Sequence, residues 1–490
     1  MTVPPERAWQ RLSPRMLLVH PVHELLRQLP LLVGGVVLGS TTGNPLWTLA
    51  ALAVTAVLGV ARWFTTSYRI EPDEVQLRTG VLRRKALAVP RNRIRSVQTD
   101  SRLLHRLLGL TVLRVSTGRE ARGDSVFELD AVQAEQVPRL RAILLAESLH
   151  PTQEAAHAPG PGALLARWQP SWLRYAPLSM SGLVMIAAAV GAVYQTGVTA
   201  ALRRSGVGQS GADAAERAGV AASIVVIATV VLVASVVLAV LRSLVTYGNL
   251  VLVRRTDADT LHLRHGLLRV REHTYDMRRL RGGTLRQPLL VRALGGARLD
   301  AVMTGIHGAG ESSVLLPPCP LSTAESVLAG LIGDVEAVSG PVRGHGPMAA
   351  RRRWTRALAL PAALGVALVG LATTVGVPAG AWLVWAGLTA CCALLAADRV
   401  RALGHRVDRR WLVARSGSLE RRRDCIAAAG IIGWTVRQTL LQRRAGVATL
   451  VAATAAGTKR YRLIDVPEKQ AWAVAAQASS WVADSRWALE

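Results

Sequence analysis

The sequence predicts an α+β membrane protein in which six transmembrane helices, paired as three hairpins, alternate with three strand-rich domains, each capped by a C-terminal helix. Two observations predict it. The first is a gapless internal pattern, Arg-x-Gly-x-Leu followed at fixed distance by Leu-Leu-x-Arg-x-x-Gly, which occurs three times. It reads Arg78, Gly80, Leu82 with Leu103, Leu104, Arg106, Gly109; then Arg264, Gly266, Leu268 with Leu289, Leu290, Arg292, Gly295; then Arg415, Gly417, Leu419 with Leu440, Leu441, Arg443, Gly446. First and last glycine are 29 residues apart in every copy, a register that implies one small domain used three times. The second observation is a pair of apolar stretches ahead of each copy, at 25–41 with 46–61, 178–197 with 219–241, and 357–375 with 380–397. Most match the ~20 apolar residues that cross a bilayer core.

In the first pair, Glu24 and Arg27 leave only about a dozen apolar residues before Ser40, the length of a re-entrant segment. It is nevertheless counted as a span. Gly35 and Gly39 give it the small-xxx-small spacing that permits close helix contact, a spacing that coincidence also explains in a glycine-rich chain. Val220 to Leu241, in the second pair, carries no charge at all. Arg242, and Arg351, Arg352, Arg353 and Arg356 ahead of the third pair, flank the membrane on one side, whereas the turns Ser40–Pro45 and Gly376–Gly380 are uncharged. The loop 198–218 sets Arg203, Arg204 and Arg217 against Asp213 and Glu216. Positive residues mark the cytoplasmic side, so both termini and all three domains are expected there, in the plasma membrane.

A chain of 490 residues that is half hydrophobic and carries +27 must segregate apolar and basic residues along its length. Of its 59 basic residues all but Lys85, Lys459 and Lys469 are arginine. That skew accompanies abundant alanine and glycine, reads as genomic composition, and gives no ground for a nucleic-acid partner. Cys391 and Cys392 fall in an apolar stretch and Cys319 and Cys425 stand alone, so neither disulfides nor zinc are indicated. Arg7, Arg11 and Arg15 resemble the charged start of a signal peptide, but no small-residue cleavage site follows.

Within the first copy, short β-like runs at 68–71, 75–79, 81–89, 94–99, 111–117 and 125–129 are broken by turn signals such as Pro72-Asp73 and Thr79-Gly80. Val75, Leu77 and Thr79 alternate as a half-buried strand requires. Residues 131–149 have helical spacing, as do 322–335 and 467–483 at the ends of the later copies. Leu-Leu-x-Arg-x-x-Gly predicts one helical turn with a glycine stop, its leucines packed inward. Its arginine, Arg106, Arg292 or Arg443, has two readings: a cation at a helix end or bonded to carbonyls within the domain, or a ligand for lipid phosphate.

Tyr68-Arg69-Ile70, Leu77 to Leu82, Pro90 with Arg93 to Val97, and Leu103 to Leu110 resemble the bacterial pleckstrin-homology (PH) domain membrane proteins of the YdbS/YdbT type. The resemblance takes in nearly the whole chain, including His20-Pro21. It implies that each domain is a partly open seven-stranded PH-like β-barrel capped by its C-terminal helix, with no catalytic activity. The later copies depart from the pattern where Gly282-Gly283 and Gly433-Trp434 replace Ser96-Val97.

Gly206 to Gly211 matches Gly-x-Gly-x-x-Gly, but without the βαβ setting that dinucleotide binding requires it reads as a flexible loop. His20, His23 and Glu24 lack metal-site spacing, no P-loop or serine elbow occurs, and no cofactor is expected. The basic clusters Arg83, Arg84, Lys85, Arg91, Arg93, Arg95 and Arg421, Arg422, Arg423 are the candidate lipid or partner surface; the plainer reading makes them solvated or topology-setting. Such charges contribute about 1 kcal/mol each beside an anionic leaflet.

The expected organisation is a cytoplasmic segment 1–24, a hairpin 25–62, a domain 63–150, a linker 151–172, a hairpin 173–245 with external loop 198–218, a domain 246–337, a basic linker 338–354, a hairpin 355–397 and a domain 398–490. The reading is a non-enzymatic scaffold for membrane lipids, anionic ones among them, or for a membrane-protein partner or second copy, in envelope maintenance or stress tolerance. The alternative is a component of a lipid or small-molecule transporter, which the scarcity of ionisable residues in the apolar stretches disfavours.

Overall fold

The computed structural model describes residues 162–179, 220–256, 259–305 and 313–483 without interruption, residues 9–11, and, with gaps, residues 65–144 and residue 184. The apolar pair 25–41 and 46–61, most of 178–197, the loop 198–218, Gly35 and Gly39 lie outside the described residues. Two compact units divide the chain: residues 1–168 with 245–279, and residues 169–244 with 280–490. The division falls inside the second copy of the pattern, between Arg279 and Leu280.

In the first unit β1 (Gln10–Arg11), β2 (Ser67–Ile70), β3 (Glu74–Thr79) and β4 (Lys85–Pro90) form one antiparallel sheet in chain order. β5 (Ser96–Ser101), the helical turn α1 (Leu103–Leu107), β6 (Leu110–Ser116) and β7 (Phe127–Gln133) follow, then β8 (Ala163–Arg167). The last residues, 245–247, of helix α2 (Val220–Tyr247), whose residues 220–244 belong to the second unit, lead into β9 (Val251–Arg255), β10 (Thr260–His265) and β11 (Val270–Asp276). These strands build a seven-stranded sheet in the order β7-β6-β5-β11-β10-β9-β8. Period-2 alternation sends Val75, Leu77, Val97, Leu113 and Val115 into a core shared with Leu129, Val132, Val137, Leu140 and Leu144. Strand β7 runs to Gln133, so the helix expected from residue 131 starts later, around Val137.

The second unit begins with β12 (Leu280–Pro288), α3 (Leu289–Ala293), β13 (Gly296–Met303), β14 (Val314–Pro320), α4 (Leu321–Ile332) and α5 (Val335–Ser339). Long helices α6 (Pro347–Thr374) and α7 (Ala379–Ala402) come next. After them lie β15 (Gly404–Val407), β16 (Trp411–Ser416), β17 (Glu420–Ala427), β18 (Ile431–Arg437), α8 (Leu440–Arg444), β19 (Val447–Thr454), β20 (Arg460–Pro467), α9 (Glu468–Ala478) and α10 (Ser480–Ala483). One sheet runs β14-β13-β12-β17-β16-β15 and another β18-β19-β20. The helix expected over 322–335 breaks at Gly333, whose φ of 70° ends α4.

Each large sheet takes its strands from two copies. β5 of the first copy pairs with β11 of the second, and β12 of the second pairs with β17 of the third. The resemblance led us to expect each copy's strands to close mainly on one another; instead an edge strand that a lone copy would leave with unpaired backbone groups is paired with the next copy.

The motif's second half forms the expected turn. Gly109, Gly295 and Gly446 have φ of 66°, 71° and 59°, the left-handed stop that glycine accepts without a Cβ penalty. Each accepts, through its carbonyl, an N–H that starts the closing segment: Ala134 at 2.9 Å, Leu321 at 2.9 Å and Glu468 at 3.0 Å. In the second and third copies the leucine pair does not pack inward as expected. Leu290 is exposed, and Leu440 and Leu441 are 78% and 63% exposed, while the next residue, His105, Val291 or Gln442, is buried. A five-residue turn has one inward position, and that residue occupies it.

Among the described residues three helices, α2 over Thr229–Tyr247, α6 and α7, are long and apolar enough to cross a membrane. Helices α6 and α7 meet where the Trp385 ring lies against Gly365 and its Nε1–H donates to the Pro361 carbonyl at 2.8 Å. Inside a bilayer such a polar group needs a protein partner.

Gly282 sits in β12 at φ 135°, where an added Cβ would run into the Cys425 carbonyl of β17. Gly433 holds the same motif position in β18, but a Cβ there meets only Ala453, at 3.9 Å. Gly282→Ala should lower stability by about 3 kcal/mol or more, read as a drop in melting temperature of the detergent-solubilised protein, and Gly433→Ala should shift it little.

Candidate membrane interface

The last carbonyls of a helix have no partner within it. At the end of α2, the hairpin tip between β10 and β11 supplies donors: Gly266 N–H to Gly248 O at 2.8 Å, Leu267 N–H to Val245 O at 3.0 Å, and His265 Nδ1–H to Thr246 O at 2.7 Å. At the end of α7, Arg415 donates from Nε to Ala402 O at 3.1 Å and from Nη2 to Arg401 O at 2.9 Å, while Arg399 Nε bonds Ser418 Oγ at 3.1 Å. A cation also suits the negative end of a helix dipole. In the second and third copies the first half of the repeated motif thus fastens a strand hairpin to the end of an apolar helix. Leu268 and Leu419, each two residues after the motif glycine, stand at these tips 51% and 58% exposed. Only three residues separate α2 from β9, and one separates α7 from β15. At ~3.3 Å per residue the sheets start within roughly a Debye length, about 8 Å, to twice that of the helix end.

The second half of the motif bonds across copies. Leu289 N–H donates to Leu419 O at 2.7 Å, and Arg106 Nη1 donates to Leu267 O at 3.2 Å. Arg292 Nη2 meets Asp398 Oδ2 at 2.8 Å, and Arg421 Nη2 meets the other oxygen, Oδ1, at 2.7 Å. Both arginines therefore bond protein groups. The Arg443 side chain is exposed and makes no hydrogen bond or ion pair among the described residues. Between β5 and the β10–β11 hairpin, Arg269 Nε bonds both Asp100 oxygens, at 2.7 and 2.9 Å. Burial alone would raise the Asp100 carboxyl, but the hydrogen bonds from Arg269 and the charges of Arg269, Arg114 and Arg271 outweigh it and hold the group below its ordinary value. At the second junction Arg286 bonds Glu420 at 3.4 Å, the same pair of motif positions with the signs exchanged.

Of the candidate surface residues, Arg83, Arg84, Arg93 and Arg95 lie outside the described residues; Lys85 opens β4, and Arg91 follows it. Arg421, Arg422 and Arg423 fall on β17, an interior strand paired on both sides. Arg421 binds Asp398, Arg422 binds Glu420 with Nε to Oε2 at 2.9 Å, and Arg423 donates to Gly340 O at 2.7 Å and Ala337 O at 3.1 Å. Among the described residues no His, Cys, Asp or Glu cluster is placed to hold a metal ion.

Sequence reasoning missed a polar cluster where α6 meets the third copy. Asp465, fully buried in β20, binds Arg352 at 3.2 Å, Arg353 at 2.9 Å and Gln442 Nε2 at 2.8 Å. Two arginines read only as topology signals thus anchor α6 to the domain. Beside them His345 Nδ1–H donates to Ile464 O at 2.8 Å, which leaves its Nε2 to accept from His405 Nδ1–H at 2.9 Å. No spacing in the sequence relates His345 to His405, which stand 60 residues apart, or Arg352 and Arg353 to Asp465. Burial lowers the His345 imidazole. Burial, with the neighbouring His345 and Arg343, pushes His405 down to about 4 from the ordinary 6.5.

A profile described as "Bacterial PH domain" matches residues 25–148 and 358–480, that is 124 and 123 residues, just over half of the 490. The chain belongs to this family. Each matched stretch starts in or near an apolar stretch and reaches a closing helix of a PH domain; the stretch between them, with the second copy, is unmatched. No curated protein and no solved structure matches the chain. PH domains bind lipid headgroups or proteins, and the apolar helices associate this chain with a membrane.

Because the folded protein holds His405 neutral down to about pH 4 while the unfolded chain protonates it near 6.5, the unfolded state binds more protons between those values. Stability is then complete above about pH 6.5 and falls as pH drops towards 4. Melting temperatures of the solubilised protein should decline across this window, and His405→Gln should flatten the decline.

Proposed function

We propose that this protein is a non-enzymatic, multi-pass plasma-membrane scaffold whose PH-like domains are held against the cytoplasmic leaflet to engage lipid headgroups or protein partners. The supporting observation is the clamp of the Arg-x-Gly-x-Leu hairpin onto the ends of α2 and α7, which sets exposed Leu268 and Leu419 beside the membrane boundary. Apolar side chains at that depth bury in the interface while neighbouring cations stay with the headgroups. In this reading the chain carries three copies of one domain at 63–150, 246–337 and 398–490 after hairpins at 25–62, 173–245 and 355–397, six spans in all. Arg83, Arg84, Lys85, Arg91, Arg93 and Arg95 of the first copy supply the headgroup surface, whereas Arg421 to Arg423 serve the fold. Envelope maintenance or stress tolerance is the setting that family analogy suggests. A transporter is the weaker reading, since the described spans carry few ionisable groups away from their ends.

Topology gives one test. A cysteine replacing Ser210 should react with an impermeant thiol reagent in intact cells, and one replacing Thr117 should not; the reverse pattern refutes cytoplasmic domains. Depth gives another. A dye attached through Leu419→Cys in reconstituted bilayers should be quenched by spin-labelled lipids, as should one at Leu268→Cys, while a dye at Thr458→Cys should be spared. No quenching at either tip would remove the membrane-facing assignment.

A further inference from the structure

Successive copies join in one register. Ser101, 21 residues after Gly80, faces Val270, 4 residues after Gly266; Gln287, 21 residues after Gly266, faces Arg421, 4 residues after Gly417. Both junctions are antiparallel and carry an acid–arginine pair at matching positions, Asp100 with Arg269 and Glu420 with Arg286. Two strands remain for which the same pairing is not made. β18 is the third copy's counterpart of β5 and β12, and β4 is the first copy's counterpart of β11 and β17. Among the described residues β18 pairs only with β19, and β4 only with β3.

The groups that serve the inner junctions stand open at β18. Leu440 matches Leu289, whose N–H bonds Leu419 of the next copy; the Leu440 N–H has no such partner among the described residues, and its side chain is largely exposed. Arg443 matches Arg106 and Arg292, but its side chain is exposed and unbonded among the described residues. Ile432 is exposed, and Gly433 has open space where Gly282 has the neighbouring strand pressed against it.

We propose that β18 of one chain pairs with β4 of a second copy in the same membrane, continuing head to tail the pairing that joins copies within a chain. The shared register then sets Trp434 opposite Ala88, Thr435 opposite Leu87, Val436 opposite Ala86 and Arg437 opposite Lys85, with Arg443 at the motif position from which Arg106 bonds the next copy. The two surfaces differ, so the contact is heterologous and either closes into a ring or runs on as a filament. Arg437 opposite Lys85 opposes like charges, as Arg286 opposite Arg422 does inside the chain. A like-charged cross-strand pair weakens pairing a few-fold, which the backbone ladder and nearby anionic headgroups offset.

The test uses the full-length protein in its native membrane. Ala86→Cys combined with Val436→Cys should give covalent dimers and longer ladders on oxidation, whereas each single variant and the out-of-register pair Ala86→Cys with Ile432→Cys should stay mostly monomeric. Dimer no more abundant than in the out-of-register pair overturns the proposal, as does a cross-link that changes mobility without raising mass, since β18 would then meet β4 of its own chain. Without cysteines, Arg437→Glu should raise the oligomeric fraction by creating an opposite-charge pair with Lys85. Arg443→Glu should lower it by about tenfold or more, the scale of a lost charged hydrogen bond. Oligomerisation indifferent to both changes excludes this edge.

Discussion

The pairing of an edge strand in one copy with an edge strand in the next is the constraint on which the rest of the structure depends. A small, open, two-sheet domain leaves backbone donors and acceptors unpaired along its second sheet, and such edges are aggregation hazards unless covered. Here β11 covers β5, and β17 covers β12. Most of the cross-copy contacts converge there: Asp100 with Arg269, Arg286 with Glu420, Arg292 and Arg421 on Asp398. At the second junction Gly282 lies where β17 passes too close for a side chain.

The same hairpins that cross the junction tie the sheets to the membrane helices. The β10–β11 tip closes the end of α2 through three hydrogen bonds, and Arg415 closes the end of α7 through two. A domain on a long linker would move freely of its helix; these sheets start two to four residues from the end of an apolar helix. In the proposed reading, that proximity lets weak contacts, each about 1 kcal/mol per charge near an anionic surface, add up to a standing association. Asp465 fixes the other side of the third domain to α6 through Arg352 and Arg353, and removing its charge would leave two buried cations unpaired, at a cost of about 3–5 kcal/mol.

Much of this was legible in residues and much was not. Alternation at Val75 and Leu77 pointed correctly to the core, the final motif glycine correctly to a left-handed stop, and the uncharged run after Val220 to a membrane-length helix. The inward packing of the leucine pair was misjudged in the second and third copies because a single helical turn offers one buried position, and apolarity alone does not say which residue takes it. Arg421 to Arg423 read as a surface cluster because sequence shows charge but not strand neighbours; their partners Asp398 and Gly340 are brought in by tertiary structure. Exchange of strands between copies left no local signal at all, since each strand alternates alike whichever strand lies beside it. The His345–His405 pair was hidden for the same reason.

Hydrogen exchange on the full-length protein in lipid nanodiscs tests the shared-sheet account most directly, because it reads the protection of each strand's amides. Amides of β5, β11, β12 and β17 should exchange as slowly as the central strands β6 and β13, since both of their edges are bonded. Exchange of β5 and β12 as fast as that of the edge strands β8 and β14 would contradict it and return the protein to three separate domains.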